Sequence, residues 1–143
     1  LSFRLSARNQ FLGRISNIAI GLVNTEVTIE IGDNMEIAAL LMREGANALN
    51  LKKGTSVIAL FKATAPILAI GETPPKTSVS NCIEGVVTEI RKGRVNAEVK
   101  LKLDESRILT SSVSLQSLTD LGIKTGRKLF ALIPPSQILI ALE

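Results

Sequence analysis

Apolar and polar positions alternate in short blocks along much of this 143-residue chain. Residues 11–18 and 23–31 repeat with a period of two and are rich in β-branched side chains, the pattern of half-buried strands, with Gly21 as the turn between them. Residues 36–42 predict a third strand. Residues 43–49 predict a short helix, because Ala46 and Leu49 fall on one helical face. After a turn at Lys53 and Gly54, residues 56–61 form a nearly continuous apolar strand and residues 67–70 a short last one.

The same order then recurs. Asn9 aligns with Asn81, Gly13 with Gly85, Gly21 with Gly93, Glu26 and Val27 with Glu98 and Val99, and Gly54 with Gly126, all at one constant offset and without a gap. A fixed offset through strands and loops alike marks two copies of one folding unit. The second copy predicts strands at 83–90, 95–103, 107–113, 128–133 and 138–142, with a helical turn at 115–121. Five short strands with one helix between the third and fourth predict an all-β fold of two tandem OB-like barrels. The copies run 6–71 and 78–143. Residues 72–77, with Pro74 and Pro75, form a stiff linker that refuses a helix.

Composition narrows the functional classes. At 45% apolar and 21% charged, the chain is an ordinary globular protein. It contains no histidine, which removes the commonest general base and every Ser-His-Asp or Cys-His arrangement, so a binding role is favoured over an enzyme. One cysteine, Cys82, permits no internal disulfide and no zinc-type ligand cluster; no metal cation site is expected. No apolar run is long enough to span a bilayer and no leader pattern opens the chain, which predicts a cytoplasmic protein without membrane contact. Leu1 stands where an initiator methionine would, predicting a fragment or a processed chain. The net charge of +4 agrees in sign with an anionic partner.

The densest cluster of donors is Ser6, Ala7, Arg8 and Asn9, which places a hydroxyl, a guanidinium and an amide within four residues just before the first strand. Such a cluster can cradle an anion with side chains and backbone N–H groups. It can equally be an ordinary strand entry.

The string from Ser6 to Gln10 with Gly13, then Gly21, Val23, Asn24, Glu26 and Val27, then Leu51 to Gly54, then Lys62, Ala63 and Thr64, resembles the molbindin family of molybdate- and tungstate-binding Mop domains. The resemblance runs from about Ser6 to the end of the chain, as two tandem copies. It implies an OB-like barrel that binds a tetrahedral oxyanion at subunit interfaces and catalyses nothing. The ligand it implies is molybdate or tungstate, with no organic cofactor. It also implies that Ser6, Ala7, Arg8 and Asn9 supply donors from one chain, completed by Lys62 and Ala63 and by the Met42 backbone at the end of the third strand. The chemistry agrees with the residue types. Molybdate offers four acceptor oxygens and no proton, so a pocket of donors suits it; phosphate carries a proton that would meet no acceptor, at a cost of roughly 1–3 kcal/mol.

The second copy departs from the pattern. Arg8 is replaced by Ser80 and Lys62 by Pro134, so both cations are lost. The first copy has Met42 and Gly45 where the family usually offers hydroxyls, and these reappear in the second copy as Ser114 and Ser117. This swap suggests that Ser114 and Ser117 serve as secondary donors to a shared pocket.

The degenerate second copy and the lead-in Leu1, Ser2, Phe3 and Arg4 resemble the C-terminal effector half of molybdate-responsive transcriptional regulators. That reading implies a dimer that meets DNA only through a separate domain. A storage protein, the alternative, implies a trimer. Arg91, Lys92, Arg94, Lys100 and Lys102 raise a third reading, an OB-fold single-strand nucleic-acid binder. The chain has no Trp or Tyr and four Phe, which leaves few stacking platforms for bases. A solvated strand face is the better account. Cys82 reads as a small strand residue, and Glu26 and Glu98 as cross-strand partners of lysines.

Overall fold

The computed structural model describes residues 5–143; the lead-in residues 1–4 singled out above lie outside the described residues. The expected order of elements is present. Strands β1 (Asn9–Ile20), β2 (Asn24–Gly32) and β3 (Met35–Met42) form a meander, followed by helix α1 (Arg43–Ala48), β4 (Ser56–Phe61) and β5 (Ile67–Ala69). The second copy gives β6 (Cys82–Lys92), β7 (Asn96–Lys102), β8 (Ile108–Ser114), helix α2 (Leu115–Asp120), β9 (Lys128–Leu132), a 3-10 turn (Pro135–Gln137) and β10 (Leu139–Leu142). The fold is all-β, with two five-stranded antiparallel sheets consistent with two OB-like barrels.

The first compact unit holds the residues up to Phe61 together with Pro134–Glu143. Its sheet runs β10-β4-β1-β2-β3, and its core is formed by Phe11, Ile15, Val27, Ile29, Ile37 and the inner strand Val57 to Phe61. Phe11 stacks on Phe61 at 5.8 Å between ring centroids. The 3-10 turn packs against β3, so the sheet's two edges approach and the sheet curls. The second unit, Lys62–Ile133, has the sheet β5-β9-β6-β7-β8 around Ile83, Val87, Val99, Leu101, Leu109 and Phe130. Its closure is explicit: Ser112 donates its backbone N–H to Ala63 O at 2.7 Å, and the buried Ser111 hydroxyl donates to Pro66 O at 3.3 Å.

The sheets are therefore drawn differently from the sequence copies. Each copy gives its fifth strand to the other's sheet, and it does so in the same register: Leu139 lies opposite Leu60 just as Ile67 lies opposite Leu132. β4 and β9 offer equivalent apolar edges, so the strand pattern alone does not choose between them.

Two details that period-two alternation hides also recur. The register of β1 breaks between Ile15 and Asn17, and that of β6 between Val87 and Glu89. The bulged residues, Ser16 and Thr88, donate their hydroxyls to Thr28 O and Lys100 O respectively, both at 3.4 Å. Past each helix the chain takes a left-handed residue, Asn50 at φ 52° and Gly122 at φ 59°, which lets Leu51 and Ile123 donate back to Ala46 O and Leu118 O.

Candidate functional site

The ladder between β1 and β4 opens with Asn9 opposite Phe61. Entry to β1 and exit from β4 therefore share one end of the first sheet, and Ser6 to Arg8 lead into that end while Lys62 is the first residue past it. Along the entry, burial alternates. Ser6 and Arg8 are exposed, whereas the Ala7 methyl is buried against Ile58, Leu60 and Ala141. The exit shows the same alternation, with Lys62 and Thr64 exposed on either side of buried Ala63. At both segments a small buried residue anchors the backbone and turns its polar neighbours outward. A larger side chain at Ala7 would have to displace core atoms.

Asn9 is only 2% exposed. Its counterpart shows what an asparagine does at this position: Asn81 donates Nδ2–H to Ile133 O at 2.9 Å and accepts the Ile133 N–H on its own carbonyl at 3.1 Å. This clasp explains why Asn81 persists after the rest of the motif has decayed. Ala63 likewise spends its carbonyl on closing the second sheet.

Met42 lies elsewhere. It pairs with Asn24, level with the far end of β1, where Ile20 faces Thr25. It is separated from Ser6 to Arg8 by a 12-residue strand, on the order of 35 Å along the strand at ~3.3 Å per residue. Within the first unit the Met42 backbone and the Ser6 to Arg8 donors are not brought together.

The second copy keeps Ser78 at the position of Ser6 but differs at the positions of Ala7, Arg8 and Lys62. Val79, at the position of Ala7, donates its N–H to Thr77 Oγ1 at 3.1 Å, and its carbonyl accepts from the same hydroxyl at 3.2 Å. Pro134, at the position of Lys62, has neither cation nor N–H. Ser114 caps α2: its Oγ accepts from Ser117 N and donates to Ser117 Oγ, both at 3.0 Å. The sequence reading missed this cap, whose signal is a serine directly before a predicted helix.

Three of the other basic candidates lie against carboxylate residues. Lys100 meets Glu89 at 3.2 Å and Lys102 meets Glu105 at 3.5 Å, while Arg91 lies opposite Glu98. Glu98 thus faces an arginine, and Glu26 faces Ala19 and Leu40, so neither is opposite a lysine as expected. Cys82 opens β6, half-buried, and burial pushes its thiol pKa up, which disfavours the reactive thiolate. Two concavities are lined by residues other than the donor segment. One is lined by Glu30, Asp33 and Glu36, the wrong sign for an anion, and the other by Ile90, Leu118 and Ile123 with Lys92 and Lys124.

A TOBE-domain family profile matches residues 5–68 and again residues 77–140. The chain belongs to the TOBE-domain family. Among relatives of this tandem TOBE protein, the molybdenum transport protein ModE of Herbaspirillum seropedicae is 33% identical over 143 residues, 100% of this chain and 53% of that protein. Molybdenum-pterin-binding protein 3 of Clostridium pasteurianum is 40% identical over 63 residues, 44% of this chain and 93% of that protein. The tandem TOBE chain spans about half the length of the longer curated relatives it matches. Among solved structures, the cytoplasmic molybdate-binding protein ModG with molybdate bound superposes with a TM-score of 0.94 at 35% identity, covering 99% of this chain and 100% of that one. The Mop resemblance read from the residues is borne out by these relatives. The family and these relatives point to a binding domain and not to an enzyme. No helix among the described residues is long and apolar enough to cross a membrane.

Proposed function

We propose that this chain binds molybdate or tungstate through the Ser6 hydroxyl, the Ala7 N–H and the Arg8 guanidinium, with the Lys62 ammonium as the second cation. The observation that carries this reading is the alternation at the entry to β1, where two exposed donors flank a buried alanine, set against a second copy that lacks both cations and whose Val79 N–H is already bonded. Asn9 and Ala63 act structurally, holding the strand ends. Ser114 and Ser117 serve α2 first. Since Met42 lies at the opposite end of its own sheet, a contribution from that end to the same anion comes from another copy of the chain, so the working form is a homo-oligomer.

The role is that of a cytoplasmic ligand-sensing domain in a molybdate-dependent transcriptional regulator, reaching DNA only through a separate domain. The half-length match to ModE and the decayed second copy support it. A molybdate storage protein is the second reading, favoured by the match over the full length of ModG. The regulator reading expects a dimer and the storage reading a trimer, which light scattering separates.

Isothermal titration with molybdate, tungstate, sulfate and phosphate tests the ligand class. Molybdate and tungstate should bind similarly and phosphate weakly. Arg8→Ala and Lys62→Ala should each weaken molybdate binding by about 10- to 100-fold, the range of a lost charge-assisted hydrogen bond. Equal affinity of wild type and Arg8→Ala would sink the assignment.

A further inference from the structure

Gln10 sits one residue inside β1, opposite Leu60, and its side chain turns back along its own strand to donate Nε2–H to Ala7 O at 3.3 Å. The bond engages the carbonyl of Ala7 and not its N–H. In the second copy, Cys82 occupies the position of Gln10, and the Thr77 hydroxyl takes both the N–H and the carbonyl of Val79. Both copies thus tie down the carbonyl at this position, by different means, and in the second copy the same hydroxyl also takes the N–H of the preceding peptide.

We infer that Gln10 is a positioning residue for the oxyanion, holding the Ala7 carbonyl on the strand side, away from the ligand that the exposed Ser6 and Arg8 side chains meet. This rests on the molybdate reading above. The physical need is specific. A carbonyl oxygen facing a tetrahedral dianion repels it, and in a pocket that works by hydrogen-bond donation each misdirected acceptor subtracts from affinity. The peptides of this segment are trans, so tying the Ala7 carbonyl fixes the plane of the Ala7–Arg8 peptide and with it the direction in which the Arg8 side chain departs. Gln10 is half-buried and lies beside the buried Ala7 anchor, so its amide is held by the fold before any ligand arrives.

The test uses the whole 143-residue chain, sodium molybdate and two variants, Gln10→Met, which keeps length without a donor, and Gln10→Glu, which is isosteric and presents an acceptor to Ala7 O. Titration should show molybdate affinity reduced about fivefold or more in Gln10→Met, the scale of one neutral hydrogen bond, and further in Gln10→Glu. The thermal midpoints should stay close to wild type. In 1H–15N spectra the amide of Arg8, in the same peptide as the Ala7 carbonyl, should shift on adding molybdate to wild type and shift less in either variant at equal occupancy, a signature that a packing role does not produce. Wild-type binding with undiminished affinity and an unchanged Arg8 amide shift in the variants overturns the inference and leaves the molybdate reading standing. Failure of the wild-type chain to bind molybdate overturns both.

Discussion

At the scale of single residues, neighbouring side chains in the motif divide into those that face solvent and those that hold the backbone. Ser6 and Arg8 project outward because Ala7 and Asn9 project inward, the period of an extended chain. The asparagine is the clearest holder. Replacing Asn81 with alanine removes its side-chain bond to the Ile133 carbonyl in a buried setting, where an orphaned acceptor costs about 1–3 kcal/mol. Urea unfolding of Asn81→Ala should show a loss of that size. Its molybdate affinity should match wild type, because the second copy lacks both cations of the motif.

At the scale of elements, the two bulged hairpins show how one pattern tolerates different crowding. An alanine Cβ at Gly13 would meet Glu30 O at 2.5 Å and Ile29 Cγ2 at 2.7 Å, inside any real contact, because β1 coils tightly over β2 there. At Gly85 the nearest atom is Leu101 Cβ at 3.0 Å, so a small shift suffices. Gly13→Ala should therefore cost more stability than Gly85→Ala, with the former on the order of 1–3 kcal/mol as in an overpacked core. Paired denaturation curves decide it, and equal midpoints would contradict the geometry. Strands, the two helices and the β1–β2 turn were legible from alternation and glycine placement. The bulges were not, because Ser16 and Thr88 fit the polar half of the alternation whether or not an extra residue interrupts the ladder.

At the scale of the whole molecule, the exchange of fifth strands makes each sheet depend on a distant part of the sequence. Removing residues 134–143 strips β10 from the edge of β4 and bares the backbone from Val57 to Leu60. Hydrogen exchange on such a truncated chain should accelerate at β4, while β9, paired on both sides by β5 and β6, keeps its protection. Uniform loss of protection in both sheets would show that the units do not fold as the topology divides them.

The sequence by itself determined the all-β class, the tandem repeat, nearly every strand and the donor motif, because period-two patterning and turn glycines are local and are written twice. The tertiary structure decided which edge each fifth strand takes, because β4 and β9 are chemically equivalent edges. It also decided which motif residues face solvent. Asn9 and Ala63 carry the same letters wherever they lie, and only the fold shows that both are buried while Ser6, Arg8 and Lys62 are exposed.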